Sequence, residues 1–197
     1  IIASNGLEML NTGEGGLNID GAVTNTGTGT ITNKAGELNI GGSFTNTGNA
    51  TVLNDGTKLA ISGNVTGKNG TMDITNNGAE GLIVEDSGRV DTQGLNMTNT
   101  GEGGLNIDGA VTNTGNSAVT NKAGELNIGG SFTNSNGTAN LTNDGNVFNV
   151  TGDITGSNGV INMTNNGAGG LNIASSGEIN TQGLNITNNG TGGLNID

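Results

Sequence analysis

A chain of 197 residues with five Lys and Arg against 17 Asp and Glu, net charge −12, lacks the clustered cations that bind a phosphate backbone or an anionic lipid surface. Without Cys or His it can form no disulfide and no thiolate or imidazole metal site, and no apolar run approaches the roughly 20 residues of a transmembrane helix. Gly takes 40 positions and Pro none, which suits a low-complexity chain, yet 30% of the residues are hydrophobic and their spacing is regular.

The first predicted elements set the pattern. Leu7, Met9 and Asn11 alternate with polar neighbours; Leu17-Asn18-Ile19 follows, then Val23. A period of two places alternate side chains on opposite faces of a strand. Gly, Asn, Asp and Ser separate the segments and supply turns. No stretch sustains the 3.6-residue period of a helix.

The trio then recurs down the chain. Its middle segment begins at Leu17, Leu38, Leu59, Leu82, Leu105, Leu126, Phe148, Leu171 and Leu194, in steps of 21–23 residues. Columns from Ile19, Val23 and Met9 are almost wholly aliphatic in every period. A larger unit overlies this one: "NTGEGGLNIDGAVTNTG" stands identically at Asn11 and Asn99, and "NKAGELNIGGSFTN" at Asn33 and Asn121, both 88 residues apart. Residues 1–197 therefore read as one continuous segment of a longer chain, with units at 11–98 and 99–187 and a third beginning at 188.

Three short strands per 21–23 residues, with apolar columns in register, predict an all-β fold: a right-handed parallel β-helix (solenoid) of about nine coils. Coils about 4.8 Å apart give a rod of about 43 Å. The connection from the second apolar column to the third is four residues at Ile19–Val23 and six at Val84–Val90. A two-residue insertion keeps the inward face inward. A further column, Leu7, Gly29, Ala50, Met72, Leu95, Ser117, Ala139, Ile161 and Leu184, switches between bulky and small residues. The cross-section is thus expected to vary with the 88-residue unit.

Two residues beyond the Met9 column stand Asn11, Asn33, Asn54, Asn76, Asn99, Asn121, Asn143, Asn165 and Asn188, one per coil. Counting by twos points them inward at a corner. Asn tolerates turn backbone conformations, and its amide both donates and accepts, so stacked copies can bond to one another and to the turn. A structural asparagine ladder is the expectation. A metal or ligand column would need carboxylates or His beside it, and none recurs there. A second row, Asn18, Asn39, Asn106, Asn127, Asn149, Asn172 and Asn195, is interrupted by Ala60 and Ile83 and points outward. It is either a solvated face or a binding row.

Other motifs are weaker. "GEGGLNIDG" lacks the following helix of a phosphate loop. "GGLNID" lacks the nine-residue period of calcium-binding repeats. Glu80, Glu85, Asp86 and Arg89 form the densest ionic group, without the paired carboxylates across a groove that glycoside hydrolysis needs. Thr24, Thr45 and Thr66 begin an outward Thr column that Asp91 and Asn180 break. Asn-x-Thr triplets at Asn49, Asn64, Asn96, Asn140, Asn162 and Asn185 fall out of the alternation, and exposed ones could be glycosylated. No catalytic residue, cofactor or metal is assigned.

The iterated "GGLNIDGAVTN", "GELNIGGSFTN" and "MTNNGAGGLNI" resemble the central repeats of bacterial filamentous adhesins of the filamentous-haemagglutinin type, and in style those of leukotoxin-family filamentous adhesins. The resemblance spans the whole chain as a style of repeat. It implies secretion, display on a bacterial cell surface, and a structural role in adhesion or fibre assembly rather than catalysis. The partners it implies are neighbouring repeats, lateral or end-to-end copies, and host or bacterial surface glycan or protein; nucleic acid and membrane insertion are not among them. A glycan-, host-protein- or ice-binding module working through the outward Asn/Thr rows remains the alternative, and a polysaccharide-acting β-helix enzyme a third.

Overall fold

The computed structural model describes residues 1–85, 88–174 and 178–197. The 25 strands among them all pair in parallel, each with the strand one period before or after it. They form three ladders. The first runs from Leu7–Asn11 through Gly29–Asn33 and onward to Ile179–Asn188. The second runs from Leu17–Ile19 to Leu194–Ile196, nine strands in all. The third starts at Ile2–Ser4 and Val23–Asn25. Together they make the predicted β-solenoid of nine turns with three strands per coil.

Register follows the apolar columns. Leu17 pairs with Leu38, Val23 with Phe44, and Met9 with Ile31. Parallel stacking without offset puts like upon like, so the inward residues fuse into one core along the axis. The bulkiest members, Phe44, Phe132 and Phe148, are fully buried. The six-residue connection behaves as parity requires, since Val84 and Val90 both point inward and are 0% exposed. Core side chains on the outermost coils are less covered, as Leu194 and Ile196 illustrate at the end of their ladder.

Three strands are longer than the rest, which have three to five residues: Asn136–Asn143, Ile154–Asn165 and Ile179–Asn188. Asn136-Gly137 and Asn158-Gly159 carry turn chemistry, but they face each other in register across two coils. Each corner gives the other a ladder partner, and the strand continues around the bend. This merges the first and third ladders into one sheet at that end.

Candidate functional site

The predicted Asn column is a continuous interior ladder. Asn11 Nδ2 donates to Asn33 Oδ1 at 2.7 Å, and the same bond repeats through Asn54, Asn76, Asn99, Asn121, Asn143 and Asn165 to Asn188 at 2.7–2.9 Å. From Asn33 to Asn165 the rungs are 0% exposed. The second amide hydrogen often turns to the rung's own corner: Asn76 donates to the Gly78 carbonyl at 3.0 Å and Asn165 to that of Gly167 at 2.9 Å. A buried turn keeps its backbone satisfied this way. Asn165→Ala removes the acceptor for Asn143 and the donor to Asn188. The expected loss is about 1–3 kcal/mol in urea unfolding.

A second interior ladder stands at the next corner, and sequence reasoning missed it. Asn25 donates to Asn46 at 2.7 Å, and Asn113 to Asn134 at 3.0 Å, all four fully buried. These residues lie two beyond the Val23 column, the same offset that places Asn11 beyond Met9. The signal was hidden because only four of the nine coils carry Asn; the other five have Ser4, Gly67, Thr92, Gly156 and Thr181 there.

That alternation accounts for the bulky-or-small column. Small Gly29, Ala50, Ser117 and Ala139 follow Asn25, Asn46, Asn113 and Asn134, while bulky Leu7, Met72, Leu95, Ile161 and Leu184 follow the non-Asn corners. A Cβ on Gly29 would meet Asn25 Nδ2 at 2.9 Å, and one on Gly67 would meet Met72 Cε at 3.4 Å. The two columns fill one volume from opposite sides. The contents of the corner thus change along the 88-residue unit.

Among the described residues two buried polar atoms have no partner: Asn46 Nδ2, which has Gly67 in the next coil, and Ser117 Oγ. Ser117→Ala removes an unsatisfied hydroxyl and matches Ala50 and Ala139 in the same column. It is expected to leave stability unchanged or raise it by up to about 1 kcal/mol, read as a small rise in melting temperature.

The outward row is hydrogen-bonded too. Asn39 donates to Asn18 at 2.9 Å, Asn149 to Asn127 at 2.7 Å, and Asn172 to Asn149 at 2.9 Å. Asn106 turns to Asp108 and Asn195 to Asp197. Donation between these outward amides runs toward the N-terminal coil, opposite to the interior ladders, so the two sets of side-chain dipoles oppose one another along the axis. Ala60 and Ile83 break the row beside the Lys58–Glu85 ion pair, 3.5 Å long.

The ionic group around the insertion divides. Glu85 faces Lys58 and Ser62, and Arg89 faces Asp91 at 3.4 Å. Glu80 stays on its exposed turn, and Asp86 lies outside the described residues. Asp55, between Lys34 in one neighbouring coil and Asn77 in the other, accepts from both, which holds its carboxyl below the usual range. Among the described residues no three Asp or Glu side chains gather as a metal-ligand set. A shallow notch of about 190 Å³ on the third ladder, lined by Thr133, Thr155, Gly156, Ser157 and Asn180, is smaller than ordinary ligand pockets. The Thr24 column is interrupted in space as in sequence, with Asp91 beside Thr66 and Asn180 beside Thr155.

What this arrangement does chemically is pair, coil upon coil. No protein-family model, no curated protein and no solved structure matches the chain.

Proposed function

We propose that this chain is a shaft segment of a secreted bacterial surface adhesin or extracellular filament, holding other parts of its protein at a distance or packing into a fibre. One observation carries the reading: parallel strands stack coil on coil through nine coils, with the first and third ladders joining at the C-terminal end and one register shift, between Gly156 and Val160. Each coil adds about 4.8 Å, so one 88-residue unit adds about 19 Å of rigid length. The polar groups buried along the axis are amides and hydroxyls bonded mainly to one another, which suits a load-bearing rod better than a reactive centre. The likeness of the repeats to filamentous-haemagglutinin-type adhesins supports the same reading and an extracellular, cell-surface location. An enzymatic role has less support, because Glu85 and Asp91 are each matched by a cation.

The test is removal of residues 11–98 from the protein that carries this segment. The shaft reading expects the distance between flanking labels to shrink by about 19 Å, with secretion and distal binding retained. Unchanged reach, or loss of binding chemistry with the unit, would sink it.

A further inference from the structure

The outward face of the first ladder holds an array that the shaft role does not require. Thr75, Thr98, Thr120, Thr142, Thr164 and Thr187 stack in direct register over six successive coils. Two residues before each lies a second column, Asp73, Asn96, Ala118, Asn140, Asn162 and Asn185. In it Asn96 donates to Asp73 at 2.6 Å, Asn162 to Asn140 at 2.7 Å and Asn185 to Asn162 at 2.8 Å. The amides are thereby held in place, each with a hydrogen to spare. Among the described residues no hydrogen bond engages the hydroxyls of Thr98, Thr120, Thr142 or Thr164. From Leu95–Asn99 to the Leu184–Asn188 stretch these strands carry no charged residue, in a chain of net charge −12.

We propose that this Asn/Thr face, from Thr75 to Thr187, binds a neutral β-linked polysaccharide laid along the rod axis. The proposal goes beyond the shaft reading and does not depend on it.

Charge and area select the occupant. An anionic polymer, or a second copy of this acidic rod, would meet repulsion from a chain of net charge −12. A face about 17 Å wide and about 24 Å tall offers about 400 Å², half the roughly 800 Å² per partner of a stable protein interface. It has none of the Trp, Tyr or Arg anchors that dominate protein recognition. A neutral extended glycan needs neither charge nor anchor. Its sugar residues recur at a spacing close to one coil, so hydroxyls and acetamido groups meet donors and acceptors at successive rungs. Each contact is weak, some pass through water, and the array adds them by multivalency.

The test is co-sedimentation of the purified 197-residue protein with insoluble cellulose and with insoluble chitin. The protein is expected to be retained on at least one of them, to a similar extent at about 0.05 M and about 0.5 M salt, because a neutral polymer brings no charge to the face. Thr120→Glu with Thr142→Glu is expected to lower retention at least about tenfold. Thr120→Val with Thr142→Val, which keeps the β-branch and loses only the hydroxyls, is expected to lower it in the same direction. Asn127→Glu on the second ladder is expected to change nothing. Protein that stays in solution with both polymers, is released by salt, or keeps full retention in both double variants overturns the proposal. So does adsorption to ice or pairing of two copies through this face in place of glycan binding.

Discussion

Met72→Ala is expected to cost about 2–5 kcal/mol, and adding Gly67→Asn to it is expected to return much of that loss. Met72 is fully buried and fills the corner that Gly67 leaves empty. Truncation opens a cavity in a stack whose coils cannot close over it, because their spacing is fixed by the ladders on either side. Gly67→Asn alone crowds Met72 and the Thr92 methyl, which lies 3.3 Å from where the Cβ of any side chain at position 67 would sit. Its expected cost is about 1–3 kcal/mol. Together the two changes recreate the Asn-and-small arrangement of Asn46 and Ala50 one coil below. The new amide can accept from Asn46 Nδ2, the buried donor that now has no partner among the described residues, and link it toward Thr92, whose hydroxyl already donates to Asn113 at 3.2 Å. Urea unfolding of both single variants and the double should show a favourable coupling of about 2–3 kcal/mol. Additive losses would mean that the two columns do not share one volume.

In the isolated 197-residue segment, Gly101→Ala is expected to destabilise by at least about 3 kcal/mol, whereas Gly13→Ala, on the first coil of that segment, should cost less than about 1 kcal/mol. The two glycines occupy the same place in an identical stretch of 17 residues, Asn11–Gly27 and Asn99–Gly115. They differ in what lies beneath. A Cβ on Gly101 would overlap the carbonyl oxygen of Gly78 in the coil below, a backbone atom that cannot step aside. A Cβ on Gly13, which has no coil beneath it within these 197 residues, would meet only Asn11 Oδ1 at 3.6 Å, an ordinary contact. Local propensity is the same at both sites, so a difference between the two melting temperatures isolates coil-on-coil approach. Gly104 is constrained twice, by its φ of +82° and by the Glu125 backbone of the next coil, which a Cβ there would overlap.

Much of this architecture is legible in the sequence because a stacked solenoid repeats its interior. The Leu17 and Ile19 columns, and the Asn11 column, show one residue type at one height in coil after coil, and each column can be read alone. The second ladder could not be read that way. Asn25 and Asn46 give way to Gly67 and Thr92, and only the reciprocal switch from Gly29 and Ala50 to Met72 and Leu95 shows what the corner holds. The long strands were hidden for a related reason: Asn136-Gly137 is turn chemistry taken alone and ladder chemistry when Asn158-Gly159 faces it. Outward residues are the least legible. Folding asks only that Asn18 or Thr120 be polar and suited to a strand, so the fold leaves their identities open. The Thr75–Thr187 column escaped notice beside the broken Thr24 column, because Leu53 lies between Thr32 and Thr75 near its start.

Exchange of side-chain amide hydrogens tests the ladder most directly. If Asn54, Asn76, Asn99, Asn121 and Asn143 are interior rungs, their Nδ2 hydrogens exchange orders of magnitude more slowly than those of Asn18 and Asn195 on the exposed row, at rates that track the protected backbone around them. Interior amides that exchange as fast as the outward ones would contradict the stacked interior on which the rod's rigidity rests.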